Sequence, residues 1–456
     1  MNGIDRLHQD NARYLWHPMA HPQAMRKQPP DIIVRGEGCW IWDVHGQRLL
    51  DSVGGLWSSN LGHSNRVVRD AIVAQLDELP YYNVFRGTTH PRAIEISRRL
   101  VELMAPDGVA AVAFSNGGSD AVESALKIAR QYFKLKGQAD RTKFISLRQG
   151  YHGVHFGGMS VNGNSNFRRA YEPMLGGCIQ VDTPWLYRNP YTDDPLELGR
   201  ICAGILEREI VAQGADTVAA FIAEPVQGAG GVIVPPPNYW PLVREICDRH
   251  GVLLIADEVV TGFGRGGQMF GTRLWDVKAD LWCLAKGITS GYVPMGATAI
   301  AADVADAFYS DTTGMAALAH GYTYSAHPVA AAAALAALDQ VEALDLPGNA
   351  ARMGERLMAG LADFTQRFDL VGNVRGIGLM VGLEMVSDKT RKTPFARNSE
   401  IPALVGRAAY EAGLMVRISG ANLILSPPLV INAQEIDFIV DALAKAFAKV
   451  QSERKA

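Results

Sequence analysis

The chain has 456 residues, 48% of them hydrophobic, enough to bury a large core spread over two or three interleaved domains. Its net charge of −3 gives no global field to attract nucleic acid or an acidic membrane, and a local pair such as Arg168-Arg169 reads as solvated loop charge. Five cysteines, at 39, 178, 202, 247 and 283, are odd in number and include no Cys-x-x-Cys pair, which argues against a disulfide scaffold and for a reducing cytoplasm.

The first ten residues are polar and lack the apolar core of an export signal, so export is not expected. His17 and His21 stand four apart, but a proline follows each and pushes it toward extended geometry, so they should not share a helix face as metal ligands would. Apolar strand-like runs near 111–114, 144–147, 218–223, 252–256, 281–285 and 297–301 then alternate with helix-like stretches. That alternation predicts an α/β fold with a mostly parallel sheet between helices. The apolar stretch Val329 to Leu338 is half the roughly 20 residues that cross a bilayer and reads as a packed helix after His327-Pro328. Beyond it come alanine-rich helices and strand candidates at 379–385, 414–418 and 423–425, read as a second, smaller α+β domain, with 387–400 as an exposed charged loop.

Three segments carry chemistry. In 113–130 a strand end meets Gly117-Gly118, and Val122, Ala125, Leu126 and Ala129 follow at helical spacing. Glycines before a helix let backbone N–H groups and the helix dipole meet an anion, so Gly118 and Ser119 suit a phosphate, although a serine-capped helix start reads the same way. In 252–262 a continuous apolar run fits a buried parallel strand that delivers Asp257 to its carboxyl end, where ligands of open α/β sheets bind. In 281–292 a second such run ends in Lys286 and a glycine-rich turn. A lysine leaving a buried strand loses hydration, which lowers its pKa and favours the neutral amine that Schiff-base chemistry uses. A buried carboxylate plus that lysine fits what pyridoxal phosphate requires; a buried ion pair or a helix cap is the plainer alternative.

Together these segments resemble the class III aminotransferases, pyridoxal phosphate enzymes of fold type I. The resemblance also rests on Gly-Glu-Gly-Cys-Trp-Ile-Trp-Asp (36–43), Gln-Gly-Tyr-His-Gly (149–153), Ala-Glu-Pro-Val-Gln-Gly-Ala-Gly-Gly (223–231) and Gly-Tyr-Thr-Tyr-Ser-Ala-His-Pro (321–328), in the family's order. Within the family the chain is most similar to the ω-amino acid and amine:pyruvate transaminases, through 55–58, 81–85 and 416–429. The resemblance implies a large cofactor domain over 61–324, inserted between residues 1–60 and 325–456 of a smaller domain. It also implies catalytic roles for Lys286 and Asp257, with Tyr151 and Val259 on the two faces of the cofactor ring. His152 and Glu224 would orient the surroundings. Thr323 corresponds to a phosphate ligand given by a neighbouring subunit, hence a homodimer with shared sites, and leaves open a dimer of dimers. Arg417 corresponds to a carboxylate-binding arginine, suited to a two-point grip on pyruvate. Ala229 stands where relatives acting on ornithine or 4-aminobutyrate place a glutamate that pairs with it, which implies an arginine free to swing. Trp57 and Phe85 are expected to line the apolar side of the pocket. Val260 replaces a glutamine that contacts the cofactor's phenolic oxygen in many relatives, which bears on cofactor tuning. The implied reaction takes an amine or ω-amino acid as donor and pyruvate as acceptor. The motifs specify the cofactor better than the reaction, so a 4-aminobutyrate or diamine transaminase, an aminomutase and a dialkylglycine-type decarboxylase are alternatives, as is a catalytically retired binding module.

Other signals point elsewhere. Gly262-Phe-Gly264-Arg-Gly-Gly267 spells a dinucleotide fingerprint, the mark of a dehydrogenase, yet no helical period follows it. Ser124-x-x-Lys127 fits a penicillin-binding motif but lies inside the predicted helix without its companions. His152 and His155 read as hydrogen-bonded pocket residues, and no metal site is expected.

Overall fold

The computed structural model describes residues 3–396 and 398–455. Met1 and Asn2 of the polar amino terminus, and Arg397 of the charged segment 387–400, lie outside them.

The uninterrupted apolar runs become strands covered on both sides. Seven strands form one sheet in the order Val109–Ser115, Gly296–Ala301, Leu281–Leu284, Leu253–Asp257, Val218–Ala223, Lys143–Leu147 and Cys178–Val181. The last five run parallel, and Gly296–Ala301 is antiparallel to both its neighbours. Alternate residues sort to opposite faces as the strand period requires. Phe221, Leu254, Ala256, Trp282 and Leu284 join one core with the helices Pro195–Ala212 and Tyr239–His250. Ala220, Ile222, Leu253, Ile255, Leu281 and Cys283 join another under the helix Gly118–Leu135. Both faces are dry, which is why the sequence shows no polar alternation there. The strand Cys178–Val181 escapes sequence reading because it is short and only partly buried at the sheet edge.

Two further sheets flank this one. Ile33–Glu37, Trp40–Asp43 and Arg48–Asp51 form an antiparallel meander, and Leu414–Met415 adds to it in parallel. The other sheet pairs Val371–Ile377, Met380–Asp388, Asn422–Leu425 and Arg417–Ser419 in that order. The expected single strand over 414–418 is thus two strands in two sheets, broken at Val416, and Val371–Ile377 is an additional strand. In place of a loop throughout 387–400, Met380–Asp388 continues through Asp388 and pairs with Thr393–Pro394. A separate apolar core, including Leu357, Phe364, Leu383, Leu425, Ile439 and Phe447, packs the carboxyl-terminal helices on this sheet. The alanine-rich helix Pro328–Ala343 is buried along most of its length, its small side chains permitting close approach. Among the described residues no helix is long and apolar enough to cross a membrane.

Candidate active site

Adjacent strands bring the reactive side chains to one end of the central sheet. Asp257 closes Leu253–Asp257 and pairs in register with Cys283, so Asp257 and Lys286 leave neighbouring strands at the same edge. Lys286 has a left-handed backbone (φ 45°), a conformation that costs a non-glycine residue about 1–3 kcal/mol and persists where its surroundings enforce it. The neighbouring Gly287 packs tightly: a Cβ there would lie 2.5 Å from Asn60 Nδ2. Glu224 follows Val218–Ala223 and reaches the same region.

These groups line one cavity of about 1440 Å³, together with Gly118, Ser119, Tyr151, His152, Val259, Val260, Ala229, Trp57 and Arg417. Burial holds the Lys286 amine below the usual lysine range; Asp257 and Glu224 oppose that shift and Arg417 adds to it. Among the described residues no hydrogen bond or salt bridge engages Lys286 Nζ. Asp257 Oδ2 contacts His152 Nδ1 at 2.8 Å, both side chains being buried, and Asp257 Oδ1 accepts from the Val259 N–H at 3.2 Å. The His152 N–H donates to Asn162 Oδ1, which fixes the loop that carries it. Burial pushes the Glu224 carboxyl up to about 7, even though Oε1 accepts from Tyr151 N–H (3.0 Å) and Oε2 from Gly228 N–H (2.8 Å). Desolvation therefore outweighs two hydrogen bonds at this position. Burial also raises the Tyr151 phenol and lowers the Arg417 guanidinium.

The residues fit pyridoxal phosphate. The helix Gly118–Leu135 begins at this cavity with Gly117 as N-cap and no side chain capping it, so its first turn presents N–H groups to an anion. The cradle is shaped by missing side chains: a Cβ on Gly118 would sit 2.8 Å from Val259 Cγ1, and one on Gly153 2.6 Å from Ser119 Oγ. Val259 is held by its N–H bond to Asp257 Oδ1, and the Tyr151 ring packs on Phe167 at 4.9 Å between centroids.

Arg417 starts the strand Arg417–Ser419, and among the described residues no carboxylate pairs with it. Trp57 is 2% exposed overall but meets the cavity after a turn whose Gly54 and Gly55 adopt positive φ; Asp51 accepts from Val53 and Gly55 N–H and contacts His63 Nε2 at 2.9 Å. One residue expected in the cavity lies elsewhere, and Thr323, expected to serve a neighbouring subunit, is on the surface. Phe85 does not line the cavity within one chain; it is half exposed, with its ring against Gly321. Thr323 is also exposed outside it, its carbonyl accepting from Tyr81 Oη at 2.7 Å. Conversely, Phe167, Tyr171, Asp51, His63 and Met19 line the cavity without having been expected. Apart from Asp51, which ends the strand Arg48–Asp51, they come from irregular segments with no periodic signal.

The remaining expectations resolve locally. His155 is not a pocket residue: it is exposed and bonds Asp120 instead. Arg168 is half-buried and donates to Gln180 Oε1 at 2.9 Å, so only Arg169 of that pair is an exposed charge. No helix opens at 262–267; a short 3-10 turn, Gly271–Trp275, follows, and Arg265 is fully buried. Ser124 Oγ donates to Asp120 O within the helix Gly118–Leu135. Among the described residues no cluster suits a metal.

Comparison with known proteins gives one answer at the level of family. The family model for class III aminotransferases matches residues 23–447. An adenosylmethionine-8-amino-7-oxononanoate aminotransferase from Geobacter sulfurreducens is 39% identical over 443 residues, covering 96% of this chain and 96% of that protein. A putrescine-pyruvate aminotransferase from Pseudomonas aeruginosa is 35% identical over 435 residues, covering 94% and 92%. The solved structure of an amine transaminase from an uncultivated Pseudomonas species, in a PLP-bound form, has a TM-score of 0.95 at 52% identity and covers 96% of this chain and 99% of that one.

Proposed function

The chain belongs to the class III aminotransferases, pyridoxal phosphate enzymes of fold type I, and within that class we propose that it moves an amino group from an amine or ω-amino acid to pyruvate. The products are alanine and an aldehyde or ketone. One observation carries the choice of substrates: Arg417 enters the cavity without a carboxylate partner among the described residues, and the nearby loop offers Ala229. An unpaired guanidinium can turn toward a keto acid carboxylate for a bidentate grip and away for an apolar amine. The putrescine-pyruvate aminotransferase and the amine transaminase among its relatives support the same reading.

When bound, pyridoxal phosphate supplies an aldehyde that captures the amino group and a ring that takes up the electron pair left by a departing proton. The first-turn N–H groups of Gly118 and Ser119 would hold the phosphate. Tyr151 and Val259 would flank the ring, and Asp257, steadied by His152, would keep a proton on the ring nitrogen. Lys286 Nζ, whose pKa burial lowers, would accept the proton from the substrate carbon and return it. Glu224 braces the Tyr151 and Gly228 backbones, and Trp57 supplies apolar wall. Val260 lines the cavity with an apolar side chain where a hydrogen-bonding one would tune the cofactor. Thr323 and Phe85 would serve the site of a second copy, because they share an exposed surface with Tyr81, Tyr82 and Tyr324. This makes a homodimer the working unit. The domain division at about 60 and 324 belongs to the same reading.

Alanine formation from pyruvate with a panel of apolar amines, β-alanine, 4-aminobutyrate and a diamine tests the assignment. Alanine should form with at least one amine or ω-amino acid. Turnover with 2-oxoglutarate and none with pyruvate would reject the acceptor. Arg417→Ala should weaken pyruvate by roughly 2–5 kcal/mol, the cost of losing one partner of a buried charged contact, and affect apolar amines far less; equal damage to both contradicts the swinging arginine.

A further inference from the structure

Ala229 and Arg417 lie on segments distant in sequence, and a single guanidinium joins them. Gln227 and Ile233 exchange backbone hydrogen bonds of 3.2 and 2.9 Å, closing the base of the loop that carries Ala229. Arg417–Ser419 pairs with Asn422–Leu425, which pairs with Met380–Asp388. Arg375, on the bordering strand Val371–Ile377, spans both parts. Its Nε donates to the carbonyls of Gly231 (2.9 Å) and Val232 (3.0 Å), and its Nη2 to Gly231 O (2.6 Å) and Asn422 Oδ1 (2.8 Å). Its Nη1 donates to Asn373 Oδ1 and Glu384 Oε2, each at 2.9 Å. Glu384 is 2% exposed and also accepts from Arg188 Nε, so the anchor is itself fixed.

The joint has no slack. A Cβ on Gly231 would lie 2.9 Å from Arg375 Nη2 and from the Asn422 side chain, and one on Gly382 would lie 2.7 Å from Gly231 O. Ser419 Oγ, two residues beyond Arg417, reaches the Ala229 carbonyl at 3.5 Å, so the two segments meet at the cavity rim. Every side of the guanidinium is used, and a planar fork of this kind fixes distance and angle together.

We propose that Arg375 is a positioning residue for keto acid recognition: it clamps the 227–233 loop against the strands that carry Arg417, and so sets the space in which Arg417 meets a carboxylate. The inference rests on the proposed role of Arg417, and it concerns the keto acid carboxylate whichever keto acid is the acceptor. A two-point grip is directional and suffers from small displacements, whereas an amine without a carboxylate needs only the apolar wall.

Steady-state kinetics of the holoenzyme with the best keto acid and a carboxylate-free amine test this. Arg375→Lys keeps the charge beside Glu384 and loses the fork. It should raise KM for the keto acid about tenfold, the equivalent of one charge-assisted hydrogen bond, while kcat and KM for the amine stay within about twofold. In an Arg417→Ala background the same change should add nothing further, because its effect runs through Arg417. Equal rises in both KM values, a fall in kcat alone, or a full tenfold effect persisting without Arg417 would each overturn the proposal. Should Arg375→Lys lose cofactor absorbance or thermal stability, Asn422→Ala removes one contact and should give the same split at smaller size; no split there also overturns it. Wild-type enzyme that uses 2-oxoglutarate and not pyruvate would change the assigned acceptor and leave this test intact.

Discussion

Glu224 shows how strongly the cavity governs its ionisable groups. Its carboxyl is held up to about 7 from an ordinary 4.5 by burial, against two backbone N–H donors. The folded protein without cofactor therefore keeps this proton in a range where the unfolded chain has lost it. The sign follows: between pH 4.5 and 7 the unfolded state binds fewer protons, so this residue lowers stability as pH rises and levels off above 7. Urea unfolding of cofactor-free wild type and Glu224→Gln at pH 5 and pH 8 should show the variant gaining about 2.5 kcal/mol relative to wild type over that interval, on top of a fixed offset from the disturbed backbone contacts. A pH-independent difference would contradict it. Lys286 and Asp257 were legible as residues because each ends an apolar run that only a doubly covered strand explains. Phe167 and Tyr171 were not, since they belong to a segment whose shape is set by contacts such as Tyr151 on Phe167 and Arg168 on Gln180.

At the level of elements, buried polar side chains fasten the turns that present the chemistry. Arg265 is fully buried, and it donates to the carbonyls of Pro427 and Leu379 and to Asn60 Oδ1; Asn60 Nδ2 in turn donates to Phe263 O at 3.0 Å. It links the segment around Asn60, the 262–267 turn and the residues that flank the strands of the carboxyl-terminal sheet. Removing a lone buried cation recovers some desolvation energy, but it strands three acceptors that have no water to turn to. The second effect should win: Arg265→Met should cost about 3 kcal/mol in chemical denaturation, and Arg265→Lys should recover little of it, because one ammonium cannot span that geometry. An unchanged midpoint for Arg265→Met would show the network to be dispensable. Sequence pattern located four of the five parallel strands and missed this network, because a glycine-rich turn has no period and its arginine looks like surface charge. The break at Val416 was equally hidden, since no glycine, proline or other turn residue marks the place where the chain changes sheets.

On the scale of the whole molecule, the central sheet supplies the edge from which Asp257, Glu224 and Lys286 emerge, and the carboxyl-terminal sheet supplies Arg417 across the cavity. Fold class was readable because alternating apolar runs and helices leave few other architectures. The exposure of Phe85 outside the cavity of its own chain was not readable from pattern, since nothing in its sequence neighbourhood marks it as facing outward. The chemistry proposed for the cavity turns on Lys286 being the residue that joins the cofactor. Borohydride reduction of the purified holoenzyme, followed by proteolysis and mass mapping, should abolish the visible absorbance and leave a pyridoxyl phosphate mass on the peptide containing Lys286, with none on that peptide in Lys286→Ala. A label on another lysine, or no trappable cofactor in protein that turns over, would contradict it.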